Sequence, residues 1–132
     1  MVNACPMCLE DEETVDHLLL RCIYAVKIWN SVIGWFGCKW VLPKLLQHLF
    51  EAWKSPTGSL RGKELCKLLF LLAIWHIWKE RNARCFEETN SFEEILSDKI
   101  KFSVAQWVKI NTLFKDYPMH QIMYNWNDIA FS

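Results

Sequence analysis

The sequence predicts an all-α fold, a small domain of about four helices around one long central helix. Two observations carry this expectation. Apolar residues recur at three- and four-residue spacing rather than in alternation over most of the 132 residues. No proline interrupts residues 60–86, where Leu65, Leu68, Leu69, Leu72, Trp75 and Trp78 continue one stripe.

The elements follow in order. Tyr24, Ile28, Val32 and Trp35, with Trp29 and Phe36 beside them, make an amphipathic helix over about 23–36, and Gly37-Cys38-Lys39-Trp40 reads as a turn. Pro43 suits a first helical position, and Leu45, Leu46, Leu49, Phe50 and Trp53 form a face that ends near Lys54. Residues 55–59, Ser-Pro-Thr-Gly-Ser, have linker composition. The long helix spans 60–86, with Gly62 expected to fray its start and Trp75, Trp78, Asn82 and Phe86 expected to face the core. Ser91 and Glu94 match a capping box opening a further helix whose inner face would be Phe92, Ile95, Ile100, Val104, Trp107 and Val108. Pro118 should stop the helical body, leaving residues 116–132 as an extended tail over the helices. The whole chain reads as one domain: a head over 1–22, a body over 23–115 and that tail.

Composition limits function. Apolar residues make up 52% of the chain and eight are Trp, enough to fill a core. Acidic and basic residues both number 15, so no overall basic surplus marks a nucleic-acid module. The distribution is uneven: residues 1–22 hold five carboxylates and one arginine, whereas residues 23–86 hold ten basic and three acidic side chains. The N-terminus has no basic region followed by an apolar run, and the apolar stretch 68–78 is shorter than the roughly 20 residues a membrane span needs. The expectation is an intracellular protein, nuclear or cytoplasmic and not secreted, with no membrane partner. Six cysteines then read as metal ligands or buried thiols rather than disulfides.

Four residues supply the chemistry. Cys5 and Cys8 form a Cys-x2-Cys pair, His17 follows after eight residues and Cys22 after four more. Three thiolates and one imidazole close a tetrahedral Zn²⁺ site with no open position for water, which makes one structural zinc per chain and no catalysis the expectation. Thr14 is placed to cap the segment that carries His17. Five residues along an α-helix rotate a side chain by about 140°, so the helix should bend or end near Cys22 for both ligands to meet one ion. The acidic loop would repel phosphate, leaving contact with RNA or nicked DNA to the basic centre, with Lys63, Lys67, Lys79, Arg81 and Arg84 as the candidates.

Cys5-Pro6-Met7-Cys8, then Glu13-Thr14-Val15-Asp16-His17-Leu18-Leu19-Leu20-Arg21-Cys22 and Trp29, resembles the zinc-binding domain that follows the reverse transcriptase in plant LINE-type, non-LTR retrotransposons. The segment 75–86, Trp-His-Ile-Trp-Lys-Glu-Arg-Asn-Ala-Arg-Cys-Phe, is similar to a Trp-x-x-Trp-Lys-x-Arg-Asn-x-x-x-Phe block downstream in such proteins. The resemblance covers about residues 5–86. It implies Cys5, Cys8, His17 and Cys22 as zinc ligands, and an origin in a polyprotein that binds its own RNA. That family's zinc domain usually begins upstream with a further Trp-containing segment, whereas the first cysteine here is residue 5, and these 132 residues show neither the polymerase acidic motif nor a ribonuclease H constellation.

The remaining candidates are weaker. His48, His76 and His120 stand alone, and Cys38, Cys66 and Cys85 read as buried apolar residues. A dyad of His76 with Cys66 or Cys85 is excluded by helical spacing. The expected function is a non-catalytic, zinc-stabilised accessory domain associated with RNA or DNA. The alternative is a protein-interaction module, partnered or self-associating through a Trp-rich surface.

Overall fold

The computed structural model describes residues 3–35, 42–53, 59–87 and 90–124. Phe36, the turn at 37–40 with Cys38, Lys39, Lys54, most of the linker, Glu88 and the end of the tail lie outside these residues.

The described residues are mostly helical and contain no strand beyond an isolated bridge between Ala4 and Glu12. The loop that carries Cys5 and Cys8 runs into a π-helical turn, His17–Arg21, and then into α1, Ile23–Gly34. A short α2, Leu46–Ala52, precedes the central α3, Leu60–Phe86. α4, Glu93–Val108, returns along α3 and is followed by a 3₁₀ turn, Thr112–Phe114, and α5, Met119–Tyr124. The long central helix of the sequence reading is present at its expected limits.

α1, α3 and α4 pack pairwise, α3 most extensively on α4, with the π turn against α1 and α3 and with α5 against α4. One buried cluster runs through them from Cys5 to Ile122 and includes the fully buried Trp29, Leu65, Leu69, Ile77, Ile100 and Phe114. An aromatic group seats α2. Trp53 lies 5.5 Å from Trp29 and 5.4 Å from Phe70 between ring centroids, and its indole N–H donates to the Cys66 carbonyl at 2.7 Å.

Several local expectations change. Ser59 caps α3 by accepting from the Gly62 N–H at 2.9 Å, so buried Gly62 lies in a closed first turn rather than a frayed one. Along α3 the inner face is Leu65, Cys66, Leu69, Phe70, Ala73, His76, Ile77 and Glu80. Trp75, Trp78 and Phe86 stand outside, at 53%, 44% and 77% exposure. The segment is apolar nearly all round, so periodicity did not say which stripe goes inward; His76, bonded to Ser103 of α4 at 2.7 Å, lies on the side α4 covers. On α4 the buried positions are Leu96, Ser97, Ile100, Val104, Ala105 and Val108, leaving Phe92, Ile95 and Trp107 exposed. The Ser91 box does not form: Phe92 holds the cap position and the Ser91 N–H donates to Glu80 instead. On α2, Leu49 is buried while Leu45 and Phe50 are exposed. Pro118 begins a helix where a stop was expected. Its carbonyl accepts from Ile122 N–H at 3.2 Å, and α5 replaces the first part of the expected extended tail.

Candidate metal centre

The loop that carries Cys5 and Cys8 is closed by its own backbone. Leu9 N–H donates to the Cys5 carbonyl and Cys5 N–H to the Asp11 carbonyl, both at 2.8 Å. Leu9 takes a left-handed φ of 62°, a conformation that costs a non-glycine residue about 1–2 kcal/mol. The turn brings the backbone N–H groups of Glu10 and Asp11 to the Cys8 sulfur. Burial pushes the Cys8 thiol up, but those donors together with the His17 and Cys22 side chains outweigh it and bring it down to about 7. Burial drives Cys22 the other way, against the Tyr24 N–H and with the charges of Cys5 and Cys8, up to about 12.

The remaining two candidate ligands are His17, which opens the π turn, and Cys22, which follows it. Thr14 Oγ1 accepts from His17 N–H at 3.0 Å, as its position suggested. The Cys22 N–H then donates to the His17 carbonyl at 2.7 Å, an i→i+5 bond. That wider ring returns residue i+5 towards the face of residue i, which removes the angular mismatch an α-helix would impose. Cys22 itself is extended, at ψ 140°, and separates the turn from α1. Trp29, fully buried on α1, donates its indole N–H to the Leu19 carbonyl at 2.7 Å and fixes the turn from behind.

The four ligand atoms converge within 4.8 Å of one another, and the group can hold one metal ion. Cys5 and Cys22 sulfurs are 3.9 Å apart, and Cys8 Sγ is 3.3 Å from His17 Nε2. Asp11 Oδ2 stands 4.0 Å from His17 Nδ1, on the side away from the sulfurs, where a carboxylate can orient a metal-bound imidazole. Cys5, His17 and Cys22 are buried and none of the described cysteines is in a disulfide.

The loop is held to the far end of α3 by two arginines. Arg81 makes a bidentate pair with Glu13, at 2.8 and 3.2 Å. Arg84 donates to the Met7 carbonyl at 3.2 Å, to the Ser91 carbonyl at 3.1 Å and to Glu80 Oε2 at 2.8 Å, with its guanidinium 4.7 Å above the Tyr24 ring. Glu80 is 5% exposed and also accepts from Ser91 N–H at 2.9 Å. Asp16 is likewise engaged, accepting at 2.7 Å from the Leu46 N–H that opens α2. The acidic loop thus spends Glu13 and Asp16 on internal docking, while Glu10, Asp11 and Glu12 face solvent.

Of the sequence-derived nucleic-acid candidates, Lys63, Lys67 and Lys79 are exposed on α3, whereas Arg81 and Arg84 are half-buried in these contacts. Each of the two arginines has a specific internal partner, Glu13 for Arg81 and Glu80 for Arg84. Glu80 offered a signal in the sequence: an acid inside an apolar helix, one turn before Arg84. The pairings of Trp29, Glu13 and Asp16 had no such signal, since their partners come from other segments. His76 is buried against Ser103 Oγ at 2.7 Å, and His48, Cys85 and His120 are exposed, apart from the cluster. No described helix is long and apolar enough to cross a membrane. Comparison with protein-family models, curated proteins and solved structures gives no match.

Proposed function

We propose that this chain is a non-catalytic, zinc-stabilised accessory domain, related to the reverse-transcriptase zinc-binding modules its motifs resemble, that binds single-stranded RNA or DNA inside the cell. Zinc is the ion that suits the donor set. Tetrahedral coordination with Zn–S near 2.3 Å and Zn–N near 2.0 Å requires S···S edges of about 3.8 Å and S···N edges of about 3.5 Å. The observed 3.9 and 3.3 Å lie close to both. Three thiolates and a neutral imidazole leave about one negative charge on the filled site, which suits a fold-stabilising role and disfavours phosphate contact.

The observation that carries the binding reading is the outer face of α3. Lys63, Lys67, Trp75, Trp78 and Lys79 are all exposed there. Lys79 Nζ lies 5.9 Å from the centroid of Trp75, so cation and ring occupy one surface. Aromatic rings that stack bases beside ammonium groups that hold phosphates are the usual equipment for single-stranded nucleic acid. Purified protein should contain about one zinc per chain, and a fluorescent single-stranded oligonucleotide should bind it with strong salt dependence. Undetectable binding at low salt, where counterion release is most favourable, would refute the reading.

A second reading rests on α4. Phe92 at its cap and Ile95, Phe102 and Trp107 along it are exposed apolar side chains, which suit a protein partner or a second copy of the chain. Concentration-dependent gel filtration, repeated with Trp107→Lys, tests self-association.

A further inference from the structure

A cleft of about 420 Å³ lies between the second half of α3 and the start of α4, within the size range of small-ligand sites. Lys79 enters it from α3 and Lys99 from α4. Both ammonium groups act on the His76 ring at its wall, where burial first and their charge second hold the imidazole neutral. Among the described residues neither lysine has an ion-pair partner. The cleft also contains Glu80, whose carboxylate is matched by Arg84 and the Ser91 N–H, and the exposed Glu87 at its far end.

The neutral groups add direction. Asn82 lines the cleft, and its Oδ1 accepts from Arg81 at 3.1 Å, which turns the amide so that its NH₂ remains as the donor. Trp75, half exposed and one turn before Lys79, offers a ring beside the ammonium. Two cations, a fixed amide donor and an adjacent aromatic face match a nucleoside phosphate better than a simple anion, which would have no use for the ring.

We propose that this cleft is a nucleotide subsite, with the phosphate between Lys79 and Lys99, the Asn82 amide donating to it, and the base on Trp75. Taking the nucleotide from a single strand rests on the function proposed above; the subsite itself does not. Lys99 lies outside the basic centre that composition singled out, and only the pairing of α3 with α4 brings it to Lys79.

The zinc-loaded chain is titrated with adenosine monophosphate, with adenosine and with an eight-nucleotide oligoadenylate, following the Asn82 amide, His76 ring and Trp75 indole signals by NMR. The monophosphate and the oligonucleotide should shift all three signals, and adenosine should shift them at least severalfold more weakly. Lys99→Gln should weaken oligonucleotide binding severalfold and lower its salt slope by about 0.7, the increment for one phosphate contact on a single strand. Trp75→Leu should weaken the monophosphate without changing that slope. Oligonucleotide binding that leaves Asn82 and His76 unmoved overturns the subsite while sparing the function. Monophosphate binding in the cleft without oligonucleotide binding supports the subsite and removes the polymer. No shift from either ligand overturns the subsite.

Discussion

Replacing Arg84 with Met tests how the metal-ligand loop is fastened to the helices. Met keeps much of the apolar stem and removes the guanidinium, so packing on Tyr24 is partly preserved while every polar contact is lost. Those contacts are the ones to Glu80 at 2.8 Å, the Ser91 carbonyl at 3.1 Å and the Met7 carbonyl at 3.2 Å. Glu80, at 5% exposure, would retain only the Ser91 N–H against a buried charge. Breaking a buried pair from one side costs about 3–5 kcal/mol, most of it from the charge left behind, and domains of this kind have only about 5–15 kcal/mol to lose. Urea unfolding followed by far-UV circular dichroism in zinc-saturated buffer at pH 7 should show a loss of that size. The double variant Glu80→Gln, Arg84→Met removes the stranded charge and should recover at least half of it. A single-variant loss below about 1 kcal/mol, or a double variant no better than the single, would show that the carboxylate is not held by this pair.

Three further outcomes follow from the same geometry. Trp29→Phe leaves the Leu19 carbonyl without its indole donor and should cost about 1–3 kcal/mol in urea unfolding, with faster zinc transfer to a colorimetric chelator. Leu9→Gly should be neutral or raise stability by up to about 1 kcal/mol, because glycine accepts the φ of 62° without strain, whereas Leu9→Val should lower it; thermal melts of the two give the sign. His76 is held down at about 4 from an ordinary 6.5, so the unfolded chain binds a proton that the folded chain refuses between those values. Its contribution is complete above pH 6.5 and is lost as the pH falls towards 4, at up to about 1.4 kcal/mol per pH unit; the difference between the parent and His76→Gln across pH 4–7 isolates it from other groups.

The sequence was most informative where structure is local. Residues 60–86 have no proline and a continuous apolar pattern, and α3 occupies that span. Cys5, Cys8, His17 and Cys22 are close enough in the chain for spacing alone to suggest one cluster, and their ligand atoms converge. Spacing also showed that a regular helix could not join His17 to Cys22; it did not show that an i→i+5 turn would replace it, because that turn depends on Trp29 reaching back to Leu19. The orientation of α3 was illegible for a different reason. Leu71, Trp75 and Trp78 are as apolar as the buried stripe, and only the partner helix selects Leu69, Ala73 and Ile77 for the inside. The division of the acidic loop into docked and solvated carboxylates was illegible because the partners of Glu13 and Asp16, Arg81 and the Leu46 N–H, arrive from remote segments.

The reach of Arg84 from α3 to the Met7 carbonyl would give a metal held by the four-residue cluster a thermodynamic role away from its ligands. Coupling free energy between two sites is reciprocal: if ordering the loop by metal strengthens the Arg84 contacts by some factor, loosening those contacts weakens the metal by that factor. Affinity at the head of the chain is therefore a gauge of order at the corner between α3 and α4, 77 residues away. Any substitution around Ser91 or Glu80 that frays the corner should register first as a change in metal dissociation constant, before global unfolding detects it.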